Sequence, residues 1–542
     1  MSGAEPDYEV AIVGCGPVGA IAANLFGHAG LRTLVIEREA EPYPLPRAVH
    51  IDHEMMRIFQ SVGLADAVLP LMREAQGHIH IGADGGMIRY LGSAGLPKRF
   101  GWANDYFFFQ PELERALQAG MSRFPQVALR RGVALTALEQ TQDGVTLTTQ
   151  GAKGAQRVNA RYVVACDGAN SFVRKTLGSR LDDLQFHEPW LVVDAEVDGP
   201  ISFPAFTGVP AGADLQHLSV MLCDPARPAT LVPGRGSHRR WEFMLLPGEQ
   251  DDEMMQPDRV QALVAPYVRG APHRIIRAAT YRFHGLIAER WQHDGIFLAG
   301  DAAHQTPPFF GQGMCHGVRD VANLAWKFAM VMRGSAHPAL LDTYQAEREP
   351  HVRAVVAAAI AAGRYICERD PAAARKRDET LRAAMGKPAP ASASDLIPPI
   401  RAGIVDQSGE ARPGTGARFV QPFVDFGGRR MLLDDATGGG FVLLASSADV
   451  ALTGVQQAWF ERIGGRTFVI GDSLGDADGD LAAWLAAHDA AAVLLRPDSY
   501  VYGIARDAAD VARLVAALGS DLRSLDPITR EMRAACPSAP HR

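Results

Sequence analysis

What the chain lacks narrows its chemistry first. Its 542 residues include only six cysteines, Cys15, Cys166, Cys223, Cys315, Cys367 and Cys536, and no two of them form a CxxC pair. That excludes a zinc ribbon and a dithiol redox centre, and scattered thiols fit a reducing cytoplasm. No run of basic residues occurs and the formal net charge is −7, so neither nucleic acid nor an anionic membrane is an expected partner. No apolar stretch is long enough to span a bilayer, and the opening MSGAEPDYEV lacks the basic-then-apolar order of a secretory signal. His53-Glu54 begins like HExxH, but position 57 is arginine, so no zinc protease and no other metal site is indicated. Internal repeats are absent.

What is present is an ordinary globular composition, 47% hydrophobic and 21% charged, at a length that suits two or three domains. Residues 9 to 13 form a short apolar run that predicts a buried parallel strand. Gly14-Cys15-Gly16-Pro17-Val18-Gly19 follows with GxGxxG spacing. Gly14 allows the tight turn, Gly16 lets the backbone approach a pyrophosphate, and Gly19 lets the next helix sit close to the sheet. A helix is predicted over Val18 to Ala29 and a second strand over Leu31 to Glu37. Glu37 stands where a carboxylate would hold ribose hydroxyls. Strand, glycines, helix, strand and acid together indicate a dinucleotide site, without choosing between FAD and NAD.

The remaining chain divides by pattern. Residues 1–185 and 286–367 read as one Rossmann-like unit. Residues 186–285 read as an inserted antiparallel sheet, 368–403 as a linker rich in charge and then in proline, alanine and serine, and 404–542 as a small α/β domain. Two further motifs matter. One is Cys166-Asp167-Gly168-Ala169-Asn170-Ser171-Phe172-Val173-Arg174. The other is Gly300-Asp301-Ala302-Ala303-His304, followed by Pro307-Pro308 and Gly311-Gln312-Gly313-Met314. Asp301 at a strand end could accept hydrogen bonds from sugar-alcohol hydroxyls. Backbone N–H groups after Gly311, ahead of a helix, could hold an anionic ring oxygen. A flavin suits this arrangement better than a nicotinamide.

GCGPVG, CDGANSFVR and GDAAHQTPPFFGQG, in this order and spacing, resemble the three fingerprints of class A flavoprotein aromatic hydroxylases. RAVHIDHEMMRIFQSVGL, VRDVANLAWKF and LLDTYQAER resemble the 3-(3-hydroxyphenyl)propionate hydroxylase and phenol hydroxylase branch. The resemblance implies a C-terminal thioredoxin-like domain, structural here because it has no CxxC. It implies FAD held by Gly14, Gly16, Pro17, Val18, Gly19, Glu37 and Arg38, with Arg47 and Gln110 also touching it. It places Gly300 and Asp301 at the ribityl chain, Gly311, Gly313 and Met314 at the flavin pyrimidine, and Pro308 beside the reactive flavin carbon. Asp167 and Arg174 belong to the motif associated with FAD and NAD(P)H.

The implied reaction is hydroxylation of a phenolic ring in aromatic degradation, with NAD(P)H and O2 as co-substrates and a flavin hydroperoxide as oxygen donor. A polyketide or antibiotic substrate is the alternative within enzymes, and a flavin-binding reductase or interaction protein the alternative outside them. A homodimer is the expected assembly. No second GxGxxG unit exists for NAD(P)H, so the nicotinamide is expected to bind transiently. Where relatives often have GQGMN, this chain has Cys315 and His316.

Tyr281, His50 and Asp52 are the candidates for handling the phenol proton, and each has a second reading. Tyr281 could be a core tyrosine, His50 a packed side chain, and Asp52 the cap of a helix over 53 to 60. Asp167 could cap its own turn. His304 could carry a proton or fix the loop by hydrogen bonds.

Overall fold

The computed structural model of the chain describes residues 6–385, 393–408 and 412–522. Its first sheet is built round β1 (Tyr8–Val13), which runs parallel to β2 (Thr33–Glu37) on one side and to Gly154–Ala165 on the other. Val10, Ala11 and Ile12 are wholly buried, because helices or loops cover both faces of this sheet. Helix α1 (Pro17–His28) starts with proline in its first turn and packs Ala20, Ile21, Ala22 and Ala23 inward. The β1–α1 turn tolerates only glycine at two places. Gly14 has φ +95°, and a Cβ there would lie 2.5 Å from the Cys166 carbonyl oxygen; a Cβ on Gly19 would overlap the Gly14 carbonyl.

A second eight-stranded sheet runs in the order His304–Gln305, His273–Ala288, Leu181–Val197, His238–Met244, Ala229–Val232, Ser219–Leu222, Gly77–Ile81, Met87–Gly92. One face carries Leu191, Val193, Trp241 and Phe243 against helix Pro257–Val268. The other faces the first sheet's carboxyl edge. The segment 186–285 therefore supplies the middle of this sheet, and two strands come from residues 77–92, ahead of it in the chain. The alternation in Gly77–Ile81 is short and follows an irregular stretch, which hid it from pattern reading.

Residues 371–384, expected as linker, form a helix. Asp370 caps it by accepting from the Ala373 N–H at 2.7 Å, Pro371 occupies the first turn, and an alanine- and arginine-rich run continues it. Asp378 then accepts from the Ala83 N–H at 2.9 Å, tying this helix to the second sheet. The proline- and alanine-rich residues 386–392 lie outside the described residues. So does Cys536; the other five cysteines are free thiols.

The C-terminal part forms a four-stranded sheet in the order Arg466–Val469, Val442–Ala445, Ala492–Leu495, Val501–Ala505. The first pair is parallel and the others antiparallel. Helices Gly454–Arg462, Asp480–Ala487 and Ala508–Asp521 complete it. A part-buried and a fully buried ion pair join it to the main body. Arg57 grips Asp434 at 2.5 and 2.8 Å, and Arg496 reaches Glu347 at 2.7 Å.

Burial alone would raise the Glu347 carboxyl. The charges of Arg496 and Lys327, with hydrogen bonds from the Ile404 N–H and Asn323, outweigh burial and hold it at about 2 against an ordinary 4.5. A carboxyl lowered by folding contributes stability above its unfolded value and loses it as pH falls through the folded one. The melting temperature is accordingly expected to fall between about pH 4.5 and pH 2, and Glu347→Gln to flatten that limb. Thermal unfolding across that range checks it. Among the described residues no helix is long and apolar enough to cross a membrane.

Candidate active-site cleft

Between the two sheets lies a cleft of about 1200 Å³. A drug-sized ligand occupies a pocket of roughly 300–1,000 Å³, so a dinucleotide and a further small ring have room together. Sixteen of the residues singled out in the sequence line it. Gly14, Gly16, Pro17, Val18, Glu37 and Arg38 come from the β1–α1 turn and the end of β2. Arg47, His50 and Gln110 come from the next segments, and Asp167 from the second motif. Asp301, Pro308, Gly311, Gly313 and Met314 come from the third motif, and Tyr281 from the sheet opposite.

The nucleotide end is organised by backbone bonds. The Glu37 carboxylate accepts from the Cys15 N–H at 2.7 Å and the Glu39 N–H at 2.9 Å, which locks the glycine turn onto β2. Gln110 accepts from the Arg47 and Ala48 N–H groups at 3.0 and 2.6 Å, and its amide donates to Glu114 at 2.6 Å. Gln110 thus shapes the loop that carries Arg47. At the far end, helix Gly313–Met332 begins after Gln312 with no side-chain cap. Its first N–H groups therefore face the cleft with the positive end of the helix dipole. A Cβ built on Gly16 or Gly313 would meet no protein atom within 4 Å. Both stretches of backbone front open space of the kind an anionic ligand fills.

Asp301 is exposed on the cleft wall but sits deep in the fold. The protein around it raises its carboxyl above the ordinary range, against the pull of His304 and Arg47. Among the described residues no protein hydrogen bond reaches that carboxylate, so it is available to hydroxyl donors. His50 is buried, its Nε2 2.8 Å from Asp105 Oδ1. Burial works to lower its pKa, but the Asp105 hydrogen bond and the charges of Asp105 and Asp52 raise it overall. Its Nδ1 is buried against the Gly311 backbone, which also works to raise the pKa.

Four of the singled-out residues do not line the cleft. Gly19 and Gly300 are packing contacts around Val18 and the Gly14 carbonyl. Arg174 is buried and donates to the Ala302 and Ala169 carbonyls at 3.0 and 2.8 Å, fastening the second motif to the third. Asp52, named as a proton-handling candidate, caps helix His53–Ser61 by accepting from the Glu54 N–H at 3.1 Å, and its other oxygen pairs with Arg319. It is fully buried, its carboxyl held low by Arg319 against the effect of burial, so it does not reach a ligand. Asp167 caps its own turn. One oxygen accepts from the Val173 N–H at 3.0 Å and the other has no partner on the cleft wall. His304 is tied at 2.6 Å to Asp320, which also accepts from the Gly300 N–H and from Arg348, so it fixes the loop. Cys315 is buried with its thiol 3.8 Å from the Gly311 carbonyl, a weak substitute for an amide contact.

Pattern reading missed the opposite wall. His78, Ser219, Met221, Thr230, Arg240, Glu242 and Arg277 all line the cleft. Arg240 is held by Asp194 at 2.8 and 3.0 Å and donates to the Arg47 carbonyl at 2.5 Å; Arg277 donates to the Pro46 carbonyl. The available signal was polar residues at every second position of strands that otherwise read as core.

A parallel sheet with a glycine turn, an acid for ribose and an uncapped helix facing the same cleft define a flavin-nucleotide oxidoreductase architecture. Residues 7–359 match the family described as FAD binding domain, and residues 416–521 match the HcaD C-terminal domain. The chain belongs to this FAD-binding family of flavoprotein aromatic hydroxylases. It is 38% identical to a probable NADH-specific resorcinol 4-hydroxylase of Rhodococcus jostii, over 93% of each chain. It is 34% identical to a 3-(3-hydroxy-phenyl)propionate/3-hydroxycinnamic acid hydroxylase of Burkholderia vietnamiensis, over 94% of this chain and 95% of that one. Aklavinone-11 hydroxylase, solved with FAD and aklavinone, superposes with a TM-score of 0.76 at 26% identity, covering 96% of this chain and 99% of that one.

Proposed function

We propose that the protein is an FAD-dependent monooxygenase that uses NAD(P)H and O2 to hydroxylate a phenolic ring. The observation that carries this is the convergence of Asp301, the uncapped Gly313 helix end and the glycine turn on one cleft that continues onto a mixed polar and apolar sheet face. When bound, FAD supplies hydride acceptance and oxygen activation. The chain supplies the rest. The Gly14–Gly19 turn and Glu37 hold the adenosine diphosphate half, and Asp301 accepts from ribityl hydroxyls. The Gly313 and Met314 N–H groups hold the ring carbonyl, and Pro308 packs at the reacting edge. Val192, Met221, Val232 and Phe283 supply apolar wall that keeps water from the reacting atoms.

A phenol is more reactive as phenolate. His50, strengthened as a base by Asp105 at Nε2, is the group at the cleft wall proposed to draw off the hydroxyl proton. Tyr281, on the far wall with Arg277 5.0 Å above its ring, contacts the ring substituents. The same reading places FAD on residues 1–185 and 286–367, substrate against 186–285, and a thioredoxin-like fold at 404–542. It also includes a reducing cytoplasm and a homodimer. A second reading, a polyketide-type substrate, is favoured by the likeness to aklavinone-11 hydroxylase along almost the whole chain.

Purified protein is expected to be yellow. Its NAD(P)H oxidation is expected to rise sharply with an added phenol and to yield a hydroxylated product. Stimulation by aklavinone-like polyketides alone would favour the second reading. A yellow protein whose NAD(P)H oxidation ignores all of these would overturn both. Asp301→Ala removes an ionised acceptor worth roughly 1.5–3 kcal/mol and is expected to weaken FAD binding by about 10- to 150-fold. Retention of flavin through dialysis as in the wild type would refute that role.

A further inference from the structure

Two histidines face each other at the rim of the cleft, where its lining reaches the surface at Tyr281 and Arg282. His187 and His284 stand directly opposite across strands Leu181–Val197 and His273–Ala288. Such a pair shares one face of the sheet with its Cβ atoms about 4.5–5.5 Å apart. The two Nδ1 atoms lie 2.7 Å from each other in an exposed contact. His284 lines the cleft, and the His187 side chain is 48% exposed, so an ion reaches the pair from solvent.

A carboxylate completes the arrangement. Strand Leu181–Val197 bulges between Asp183 and His187, with Gln185 at φ +57° and its N–H donating to Asp183 Oδ1 at 2.8 Å. The bulge brings Asp183 Oδ2 to 2.9 Å from His187 Nε2. A carboxylate there keeps the proton on Nε2 and leaves the Nδ1 lone pair turned toward His284. Burial, with the charges of His187 and Arg282, outweighs the pull of Asp183 and lowers the His284 pKa, which favours the neutral ring. The Arg282 guanidinium is engaged by both Asp251 oxygens at 2.9 and 3.0 Å, which weakens its repulsion of a cation.

With Asp183 fixing the His187 tautomer, the His284 Nδ1–H donates to His187 Nδ1. A hydrogen bond of this kind contributes about 0.5–1.5 kcal/mol. A metal ion that takes both nitrogens replaces it, and His284 then carries its proton on Nε2. Zn–N bonds of about 2.0–2.1 Å in a tetrahedral site set two ligand nitrogens about 3.3 Å apart, so the rings need part only slightly. Imidazole suits zinc, copper and nickel, whereas magnesium and calcium take oxygen ligands.

We propose that His187 and His284 form a binding site for a divalent transition-metal ion at the rim of the cleft, with Asp183 orienting His187. The site does not depend on the hydroxylase reading. No local spacing announces it, because its two ligands are 97 residues apart and meet only through the register of the sheet.

The test uses the tag-free, metal-free full chain with its flavin bound, at pH 8. Zinc chloride is titrated by calorimetry, and thermal melts are recorded with and without zinc. The wild type is expected to bind zinc at this site and to melt at a higher temperature as zinc is added. His187→Gln is expected to melt like the wild type without zinc, to bind the ion at least roughly 100-fold more weakly and to lose the zinc-dependent shift. His284→Gln should behave in the same way, and Asp183→Asn should weaken binding by about 10-fold. Magnesium chloride should give no shift. If His284→Gln folds poorly, His187→Gln and Asp183→Asn decide. A wild type that binds no zinc, or zinc binding that His187→Gln and Asp183→Asn leave unchanged, overturns the site.

Discussion

Gly19→Val is expected to abolish flavin binding and to lower the yield of folded protein sharply, whereas Gly16→Ala, three residues earlier, is expected to fold normally and lose only flavin affinity. The difference lies in what each new carbon meets. At Gly19 it overlaps the Gly14 carbonyl and lies 3.4 Å from the Cys166 side chain. Backbone cannot step aside as a flexible side chain can, so α1 must move away from the sheet. That helix buries Ala20, Ile21, Ala22 and Ala23 completely, and displacing it opens the core beneath the glycine turn. Overpacking usually costs about 1–3 kcal/mol, and a clash with main chain belongs at or above the upper end. At Gly16 the added methyl meets no protein atom, and the backbone angles, φ −69° and ψ −172°, suit alanine. The methyl instead occupies the space where a phosphate would approach. Thermal melts and bound-flavin absorbance separate the cases. A Gly19→Val protein as yellow and as stable as the wild type would refute the packing argument, and a Gly16→Ala protein with unchanged flavin affinity would refute the placement of the nucleotide.

Arg319→Ala is expected to be the most destabilising single change among the charged residues. Arg319 is 3% exposed, donates Nε to Glu54 at 2.6 Å, pairs with Asp52, and donates Nη1 to Gln312 at 3.1 Å. Its removal leaves two buried carboxylates with less compensation; Glu54 keeps Tyr500 at 3.0 Å and Arg418 at 3.3 Å, and Asp52 keeps only its helix cap. Breaking a buried pair in this way costs about 3–5 kcal/mol, which for a large chain is a fall of roughly 10 °C in melting temperature. Without the guanidinium, burial acts on Asp52 with far less to oppose it and pushes its carboxyl up. The variant is therefore expected to gain stability relative to the wild type as pH is lowered from 8 towards 5. Lysine should not rescue it, because one ammonium cannot reproduce the fork that spans two acids. Flavin affinity should fall as well, since Gln312 immediately precedes the Gly313–Met314 N–H groups. A melting temperature within a degree of the wild type would show that Asp52 and Glu54 are satisfied by other means.

Residues close in sequence were legible. The turn from Gly14 to Gly19 and the acid at Glu37 declared a dinucleotide site because one strand–turn–helix–strand unit is a local structure, with its reasons written into consecutive residues. Asp301 with the Gly311–Met314 stretch pointed to a flavin for the same reason, while CDGANSFVR did so only through its resemblance to the family; Asp370-Pro371 is a helix start hidden by the linker composition around it. What the sequence could not state was which side chains from distant strands share a wall. Arg174 reads as a ligand-binding cation and proves to be a clasp between two loops. Asp52 reads as a proton acceptor or as a helix cap; the structure gives it the cap and adds what the sequence could not show, a pairing with Arg319, 267 residues away. Glu242 and Thr230 stand out in no sequence pattern, and only strand register sets them next to each other on the cleft wall. The amino-acid order by itself determined the cofactor class, because backbone turns and helix ends are made by neighbours. Only the tertiary structure decided which polar groups remain free for a substrate, because whether a carboxyl is satisfied depends on partners that folding brings from elsewhere in the chain.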